Sequence, residues 1–190
     1  MTYQDSWVKG KMVRKGYREC AGRYDLVKAF CVEKFADRPQ FSVCDVGANM
    51  CYFGIRLAED FDCSVMAFEF DHFEQRVALL RQNEAMDQIL LINRKLSLDD
   101  LCVLADIKRF DLVLALSVLH HVKGASAEWL ARLRDLGHHL IVEFAGADSV
   151  RATKRGTGAV PADATVLGDA ESHLVAGMRR PLVAFSAVAQ

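Results

Sequence analysis

The sequence lacks three features that would each narrow its function at once: a long apolar run, a strong imbalance of charge and a cysteine pair. No apolar run approaches the roughly 18 residues of a membrane-spanning helix, and the N-terminal residues lack the apolar core of a signal peptide. The formal net charge is only −1, so no overall charge draws the chain to nucleic acid or to an anionic membrane. We therefore expect no membrane partner and a cytoplasmic location.

Cysteine is present but never in a metal-binding arrangement. None of the 6 cysteines forms a C-x-x-C pair, and no cluster of cysteine and histidine has the spacing of zinc ligands. Most of the cysteines lie within apolar patterns, as buried and reduced thiols of a cytoplasmic protein do. No metal site is predicted.

The chain does contain a regular alternation of strand-like and helix-like segments. Between Phe41 and Gly146, near-continuous apolar runs alternate with amphipathic segments. Strands that are buried on both faces and separated by helices indicate a mostly parallel sheet with helices on both sides. We predict an α/β fold: a three-layer, Rossmann-like, doubly wound sheet, mostly parallel, with an antiparallel edge strand. That edge would come from two strands around the turn GMRRP, and Gly137 would cap the helix before the fifth strand.

Composition divides the predicted single domain, residues 1–190, into three parts. Residues 24–146 form the α/β core that would bind the cofactor. Residues 1–23 carry basic and aromatic side chains, and residues 147–190 contain a small, polar loop followed by the C-terminal strands. We expect residues 1–23 and the loop from Ala145 to Asp163 to form a lid on the substrate side of the core.

The loop after the first strand of the core carries the clearest functional signal. In VCDVGANMCYFG an apolar strand leads into a helix, the arrangement that holds a nucleotide at the carboxyl end of a strand. A dinucleotide loop would read G-x-G-x-x-G, but here Asn49 and Tyr52 stand in place of the second and third glycines. Because Tyr52 is too bulky for the close helix packing of that motif, NAD and FAD are disfavoured.

The same stretch resembles the first motif of class I S-adenosylmethionine-dependent methyltransferases, D/E-x-G-x-G-x-G. Many members of that family carry DVGAN followed by a glycine and aromatic residues, and this chain departs from that form at Cys51. The matching residues are Asp45, Val46, Gly47, Ala48, Asn49, Tyr52 and Phe53. Asparagine tolerates left-handed backbone better than other non-glycine residues, so Asn49 can occupy a glycine position. The resemblance implies S-adenosyl-L-methionine as the cofactor.

Three later segments extend the resemblance. The family places an acid at the end of the second strand, where it bonds the two ribose hydroxyls; Glu69 stands there, and Asp71 is the second choice. The adenine would lie near the segment after the third strand, and the fourth strand leads into VLHH, which is typical of the family. The cofactor-binding residues that the resemblance implies are Asp45, Gly47, Ala48, Asn49, Glu69, Phe70, Leu96, Ser97 and Ser117.

The resemblance also implies methyl transfer, for which a hydroxyl acceptor would need a general base. His120 and His121 follow the fourth strand, near the expected position of the methyl group, and the unperturbed pKa of histidine suits the role. We predict His120 as the first choice and His121 as the second. Successive residues at a strand exit point in different directions, so the other ring should pack into the core. His173 is a minor candidate.

Two features of the sequence indicate which class of molecule accepts the methyl group: the motifs it lacks and the basic residues in its flanks. No Asn/Asp-Pro-Pro-aromatic run follows the fourth strand and no Pro-Cys pair exists, so DNA is disfavoured as a substrate. Basic residues cluster in both flanks and favour an anionic acceptor. They are Lys9, Lys11, Arg14, Lys15, Arg18, Arg23, Arg151, Lys154, Arg155, Arg179 and Arg180. O-methylation of a small molecule or sugar is the predicted reaction, and the alternatives are RNA methylation and an inactive module that binds the cofactor.

Overall fold

Alternating helices and strands run through the residues that the computed structural model describes. These residues are 2–38, 40–122, 126–144, 160–171 and 179–186. The helices are α1 (Ala21–Phe35), α2 (Tyr52–Asp60), α3 (Phe73–Asn83), α4 (Leu98–Ile107) and α5 (Ser126–Asp135). The strands are β1 (Ser6–Val8), β2 (Lys11–Arg14), β3 (Phe41–Val46), β4 (Cys63–Glu69), β5 (Ile89–Asn93), β6 (Phe110–Ala115), β7 (Gly137–Glu143), β8 (Thr165–Glu171) and β9 (Arg179–Ser186). None of these helices is long and apolar enough to cross a membrane.

The main sheet confirms the predicted fold class. It is 7-stranded with the order β5-β4-β3-β6-β7-β9-β8. Strand β3 pairs with β4, β4 with β5, and β6 with β7, all in parallel, whereas β9 is antiparallel to both β7 and β8. The result is a mostly parallel sheet with an antiparallel edge, flanked by helices, as in doubly wound folds. The chain divides into two units, Met1–Lys95 and Leu96–Gln190, which are described one by one below.

In the first unit, the apolar run FSVCDV forms β3 because both of its faces are covered. Five of its six residues are buried, and its register places Asp45 opposite Ala67 of β4. Helix α1 turns Val27, Phe30 and Cys31 inward, with the spacing that the sequence predicts for one helix face. Strand β3 therefore delivers the loop that follows Val46 from a fixed, packed position.

The first unit also contains a hairpin that the sequence pattern did not predict. Strands β1 and β2 are antiparallel, and the turn residues Lys9 and Gly10 have φ angles of 45° and 76°, as tight hairpin turns require. The chain on either side pairs as well, because the backbone N–H of Arg18 donates to the carbonyl of Tyr3. A Cβ at Gly16 would lie 2.4 Å from the carbonyl carbon of Gln4, so only glycine permits this approach.

In the second unit, two local expectations are wrong. The last three residues of the predicted turn GMRRP, Arg179 to Pro181, belong to β9, and the first two fall outside the described residues. The preceding strand β8 runs from Thr165 to Glu171, which is earlier than the sequence predicts. Gly137 does not cap α5, which ends at Asp135, but begins β7. Only glycine fits at this position, because a Cβ there would lie 2.6 Å from Cγ2 of Val113.

Replacing Gly137 with alanine should lower the free energy of unfolding by about 1–3 kcal/mol, because the added methyl overpacks the contact with β6. Gly22→Ala is the matched control: Gly22 is exposed near the start of α1, its Cβ would approach nothing closer than 3.5 Å, and alanine there should stabilise by up to ~1 kcal/mol. Urea unfolding of both variants measures the difference. Equal stability of the two variants would contradict the close approach at Gly137.

Candidate functional site

The loop after β3 keeps a glycine-like backbone at three alternate positions, only one of which is glycine. Gly47, Asn49 and Cys51 have φ angles of 76°, 50° and 61°. These are the three glycine positions of the motif D/E-x-G-x-G-x-G, and left-handed backbone is the reason that glycine is favoured there. The backbone path of the motif is therefore preserved although two of its glycines are missing.

Cys51 turns its side chain into the protein. The residue is fully buried, and its Sγ lies 3.0 Å from where a Cβ of Gly54 would stand. Glycine in the first turn of α2 thus makes room for the thiol that replaces the glycine of the loop. Burial raises the pKa of Cys51, and the charge of Asp45 raises it further, so the group stays a neutral thiol.

Glu69 ends β4 beside this loop, as the sequence predicts. Its Oε2 accepts a hydrogen bond from the backbone N–H of Asn49 at 3.2 Å, and its Oε1 accepts one from Phe70 at 2.7 Å. The side chain is only half-buried, so the carboxylate remains accessible. Phe70 follows it with an exposed ring, over which the ammonium group of Lys95 lies 5.3 Å from the centroid. An accessible acid and an exposed aromatic face adjoin the loop.

Arg76 is a residue of the site that sequence reasoning missed. Its guanidinium is buried and donates from Nη1 to the carbonyl of Asn49 at 3.0 Å and from Nη2 to the carbonyl of Glu69 at 3.2 Å. It also donates to the carbonyl of Asp71. One side chain from α3 therefore ties the loop to the end of β4. Its spacing could have indicated that it is buried, because it lies three and four residues before the apolar Leu79 and Leu80 and so on the same face of α3.

Gln4 is the second residue that was missed. Its side-chain Oε1 accepts hydrogen bonds from the backbone N–H groups of Met50 at 3.2 Å and Tyr52 at 3.3 Å. Helix α2 needs an outside acceptor because its own N-cap residue, Cys51, makes no capping hydrogen bond. The N-terminal residues, predicted as part of a lid, thus contact the loop directly. Of the other half of the predicted lid, Ala145 to Asp163, residues 145–159 lie outside the described residues.

Asp45, near the end of β3, has a buried carboxyl group. It is 3% exposed, and its Oδ2 has no hydrogen-bond partner among the described residues. Burial, and after it the charge of Glu69, raises the pKa of Asp45 from 3.8 to about 7. A buried acceptor without a donor is costly, so this oxygen is suited to a donor from a bound ligand.

The raised pKa makes stability depend on pH. Between pH 4 and 7 the folded chain holds a proton on Asp45 that the unfolded chain has released, so stability falls as pH rises through this window. The loss by pH 7 is at most about 4 kcal/mol. Asp45→Asn, which cannot ionise, should abolish this fall relative to wild type in urea unfolding between pH 5 and 8. A wild-type slope retained by the variant would show that Asp45 is not the titrating group.

The Gln4 contact predicts a local effect on α2. Gln4→Met removes the acceptor at nearly constant length and should cost about 1–3 kcal/mol, because two N–H groups lose their partner. Gln4→Glu keeps an oxygen in place and should retain most of that stability. Hydrogen exchange should accelerate at the amides of Met50 and Tyr52 in Gln4→Met but not in Lys11→Met, a control on the exposed β2. Equal exchange in the two methionine variants would exclude the contact.

In the second unit, Ser97 has a structural role. Its Oγ accepts from the N–H of Asp100, and the carboxylate of Asp100 accepts from the N–H of Ser97, which is a complete capping box for α4. Leu96 before it is half-buried. The cofactor contacts predicted for Leu96 and Ser97 stay predictions.

At the exit of β6, Ser117 is buried and has a φ angle of 59°, a costly conformation for serine. Its Oγ donates to Oε2 of Glu143 at 2.9 Å. His120 is 8% exposed, whereas the neighbouring His121 is exposed, and their ring centroids are 4.0 Å apart. The two rings differ in exposure, and His120 is the buried one. That burial favours the reverse of the order expected for the base.

Within the described part of the chain, no group of three or more His, Cys, Asp or Glu side chains could hold a metal ion. The minor base candidate His173 falls outside the described residues.

The fold is that of class I methyltransferases, as a comparison with solved structures shows. The bifunctional kinase-methyltransferase WbdD matches with a TM-score of 0.71 and 21% identity, over 90% of this chain and 40% of WbdD. Magnesium protoporphyrin IX methyltransferase (ChlM) from Synechocystis PCC 6803, solved with bound SAM, matches with a TM-score of 0.58 and 18% identity, over 86% of this chain and 78% of ChlM. The putative methyltransferase YhhF from Escherichia coli matches with a TM-score of 0.55 and 17% identity, over 85% of this chain and 87% of YhhF.

This chain thus spans less than half of WbdD. No protein-family model and no curated protein matches the sequence. At identities of 17–21%, these likenesses show the fold alone.

Proposed function

We propose that the protein is an S-adenosyl-L-methionine-dependent methyltransferase, and that it methylates an oxygen atom of a small molecule or sugar. The observation that carries the proposal is the loop backbone: positive φ angles at Gly47, Asn49 and Cys51 reproduce the path of the family motif with only one of its three glycines. The crystal of ChlM with SAM supports the choice of cofactor. We further propose one domain over residues 1–190 and, from the free and mostly buried cysteines, a cytoplasmic location.

The residues of the first unit fit an adenosyl ligand. The carboxylate of Glu69 is half-buried and accessible, so it can accept the two ribose hydroxyls. The exposed ring of Phe70 offers a face for the adenine. The unpartnered Oδ2 of Asp45 offers an acceptor for a donor group of the ligand. The backbone of Gly47 and Ala48 is fixed by two N–H bonds to the carbonyl of Phe68, so the loop needs little rearrangement on binding.

When bound, S-adenosyl-L-methionine supplies a methyl group that is already activated for transfer. The protein's own contribution is then to align the acceptor and exclude water, with a general base for a hydroxyl acceptor. His121 is exposed at the exit of β6 and can reach an incoming ligand, while His120 lies packed beside it. We propose His121 as the base and His120 as its support, with His120 as the second candidate.

Glu69→Ala should weaken the affinity for S-adenosylhomocysteine by about 1–3 kcal/mol, because ribose hydroxyls lose their acceptor. Asp71→Ala is the control, since Asp71 is the other acid at the end of β4 and is exposed. Calorimetric titration of both variants gives the two affinities. A larger loss in Asp71→Ala would make Asp71 the ribose-binding acid, and unchanged affinity in both would count against the cofactor site.

Paired glutamine variants test which histidine is the general base. The acceptor is identified first, by a mass-based screen of sugars, phenols and transfer RNA with isotope-labelled cofactor. His121→Gln should then lower turnover by about 10²-fold with S-adenosylhomocysteine affinity intact. His120→Gln should instead lower the melting temperature. The opposite result would make His120 the base, and full turnover in both variants would exclude each of them. Cofactor binding without any labelled product would indicate an inactive binding module.

A further inference from the structure

A buried polar cluster in the second unit contains two charged residues that have no part in the proposed cofactor site, beside Ser117, whose predicted cofactor contact stays a prediction. It contains Ser117 at the exit of β6, Glu143 at the last position of β7 and Arg180 near the start of β9. Arg180 is 2% exposed and Glu143 is 1% exposed. Because β9 is antiparallel to β7, the start of β9 lies at the carboxyl end of β7, where ligands of doubly wound sheets bind.

The contacts within the cluster leave Arg180 incompletely satisfied. Oε2 of Glu143 accepts the hydroxyl of Ser117 at 2.9 Å, whereas its Oε1 is 3.9 Å from Nη1 of Arg180. That separation is too long for a hydrogen bond. Neither Nε nor Nη1 of Arg180 has a hydrogen-bond partner among the described residues. The carboxylate therefore offsets the charge of the guanidinium without accepting a hydrogen bond from Nε or Nη1.

A structural ion pair would be expected to close into the two parallel N–H···O bonds that arginine and carboxylate favour. Here Ser117 holds Glu143, and it does so with a left-handed backbone of φ 59°. Strain of this kind persists only where the surroundings impose it, and it concentrates at ligand sites. Nε and Nη1 donate on different edges of the guanidinium, so each is free to donate to an oxygen of a carboxylate or a phosphoryl group.

We propose that Arg180 is an oxyanion-binding residue of the acceptor site, held in place by Glu143 and Ser117. Its ligand is a carboxylate or phosphoryl group carried by the acceptor. The neighbouring Glu143 neutralises the guanidinium when no ligand is bound and so limits the binding of stray anions. The assignment of this oxyanion to the methyl acceptor rests on the proposed methyl transfer, whereas the oxyanion site itself does not.

The experiment uses inorganic phosphate as the probe and the whole chain as the sample. Phosphate should raise the melting temperature of wild type in a saturable manner at constant ionic strength, with chloride as the balancing salt. Arg180→Met should weaken this binding by about tenfold or more, as the loss of a charged hydrogen-bond pair does. Arg180→Lys keeps the positive charge but lacks the separate N–H groups of the guanidinium, so it should also weaken phosphate binding. Arg179→Met is the control, because Arg179 is adjacent and exposed.

A further variant separates ligand binding from mere packing. Glu143→Gln can still accept the hydroxyl of Ser117 but no longer opposes the charge of Arg180, so phosphate should bind more tightly than to wild type. A merely structural pair would lose stability in this variant and gain no affinity for phosphate. Absence of saturable binding to wild type, or equal binding to Arg180→Met and wild type, would overturn the proposal.

The source of the oxyanion is tested with S-adenosylhomocysteine, which carries a carboxylate of its own. If the site serves the acceptor, phosphate binds equally with and without saturating S-adenosylhomocysteine. Competition between the two would assign Arg180 to the cofactor and overturn the acceptor site. Calorimetry of S-adenosylhomocysteine with Arg180→Met should give wild-type affinity. If wild type itself does not bind S-adenosylhomocysteine, the proposed function fails while the phosphate result still decides the oxyanion site.

Discussion

The candidate cofactor site depends on a left-handed backbone at three residues, only one of which is glycine. Asn49 and Cys51 adopt φ angles of 50° and 61°, a conformation that costs roughly 1–2 kcal/mol for a residue such as cysteine and less for asparagine. Hydrogen bonds from three directions offset this cost. Glu69 accepts from the N–H of Asn49, Arg76 donates to its carbonyl, and Gln4 accepts from the residues on either side of Cys51.

This arrangement links the N-terminal hairpin to the chemistry of the loop. Gly16 permits the backbone to pass close to Gln4, and the carboxylate of Asp5 accepts the N–H of Gly16 at 2.8 Å. Gln4, just before the hairpin, therefore supplies the acceptor that α2 cannot supply for itself. The second unit has its own polar centre, in which Glu143 joins Ser117 to Arg180.

The alternation of apolar runs and amphipathic segments was enough to predict the sheet, because a strand such as β3 must be buried on both faces. Asn49 in left-handed backbone was also predictable from its own residue type. Gln4 was not, since its partners lie 46 and 48 residues away and no local pattern marks such a contact. Gly137 resembled a helix cap because a glycine after a helix has the same sequence signal whether it ends the helix or makes room for Val113.

The most direct test of the account is to follow the backbone amides of the whole chain by NMR as S-adenosylhomocysteine is added to wild type. We expect saturable shifts that are largest from Gly47 to Tyr52 and at Glu69 and Phe70, with no comparable effect of NAD. The positive-φ loop would then bind its ligand through the backbone that its hydrogen bonds hold in place. No saturable shift in these residues, or stronger binding of NAD, would contradict the central claim that this loop is a site for the adenosyl cofactor.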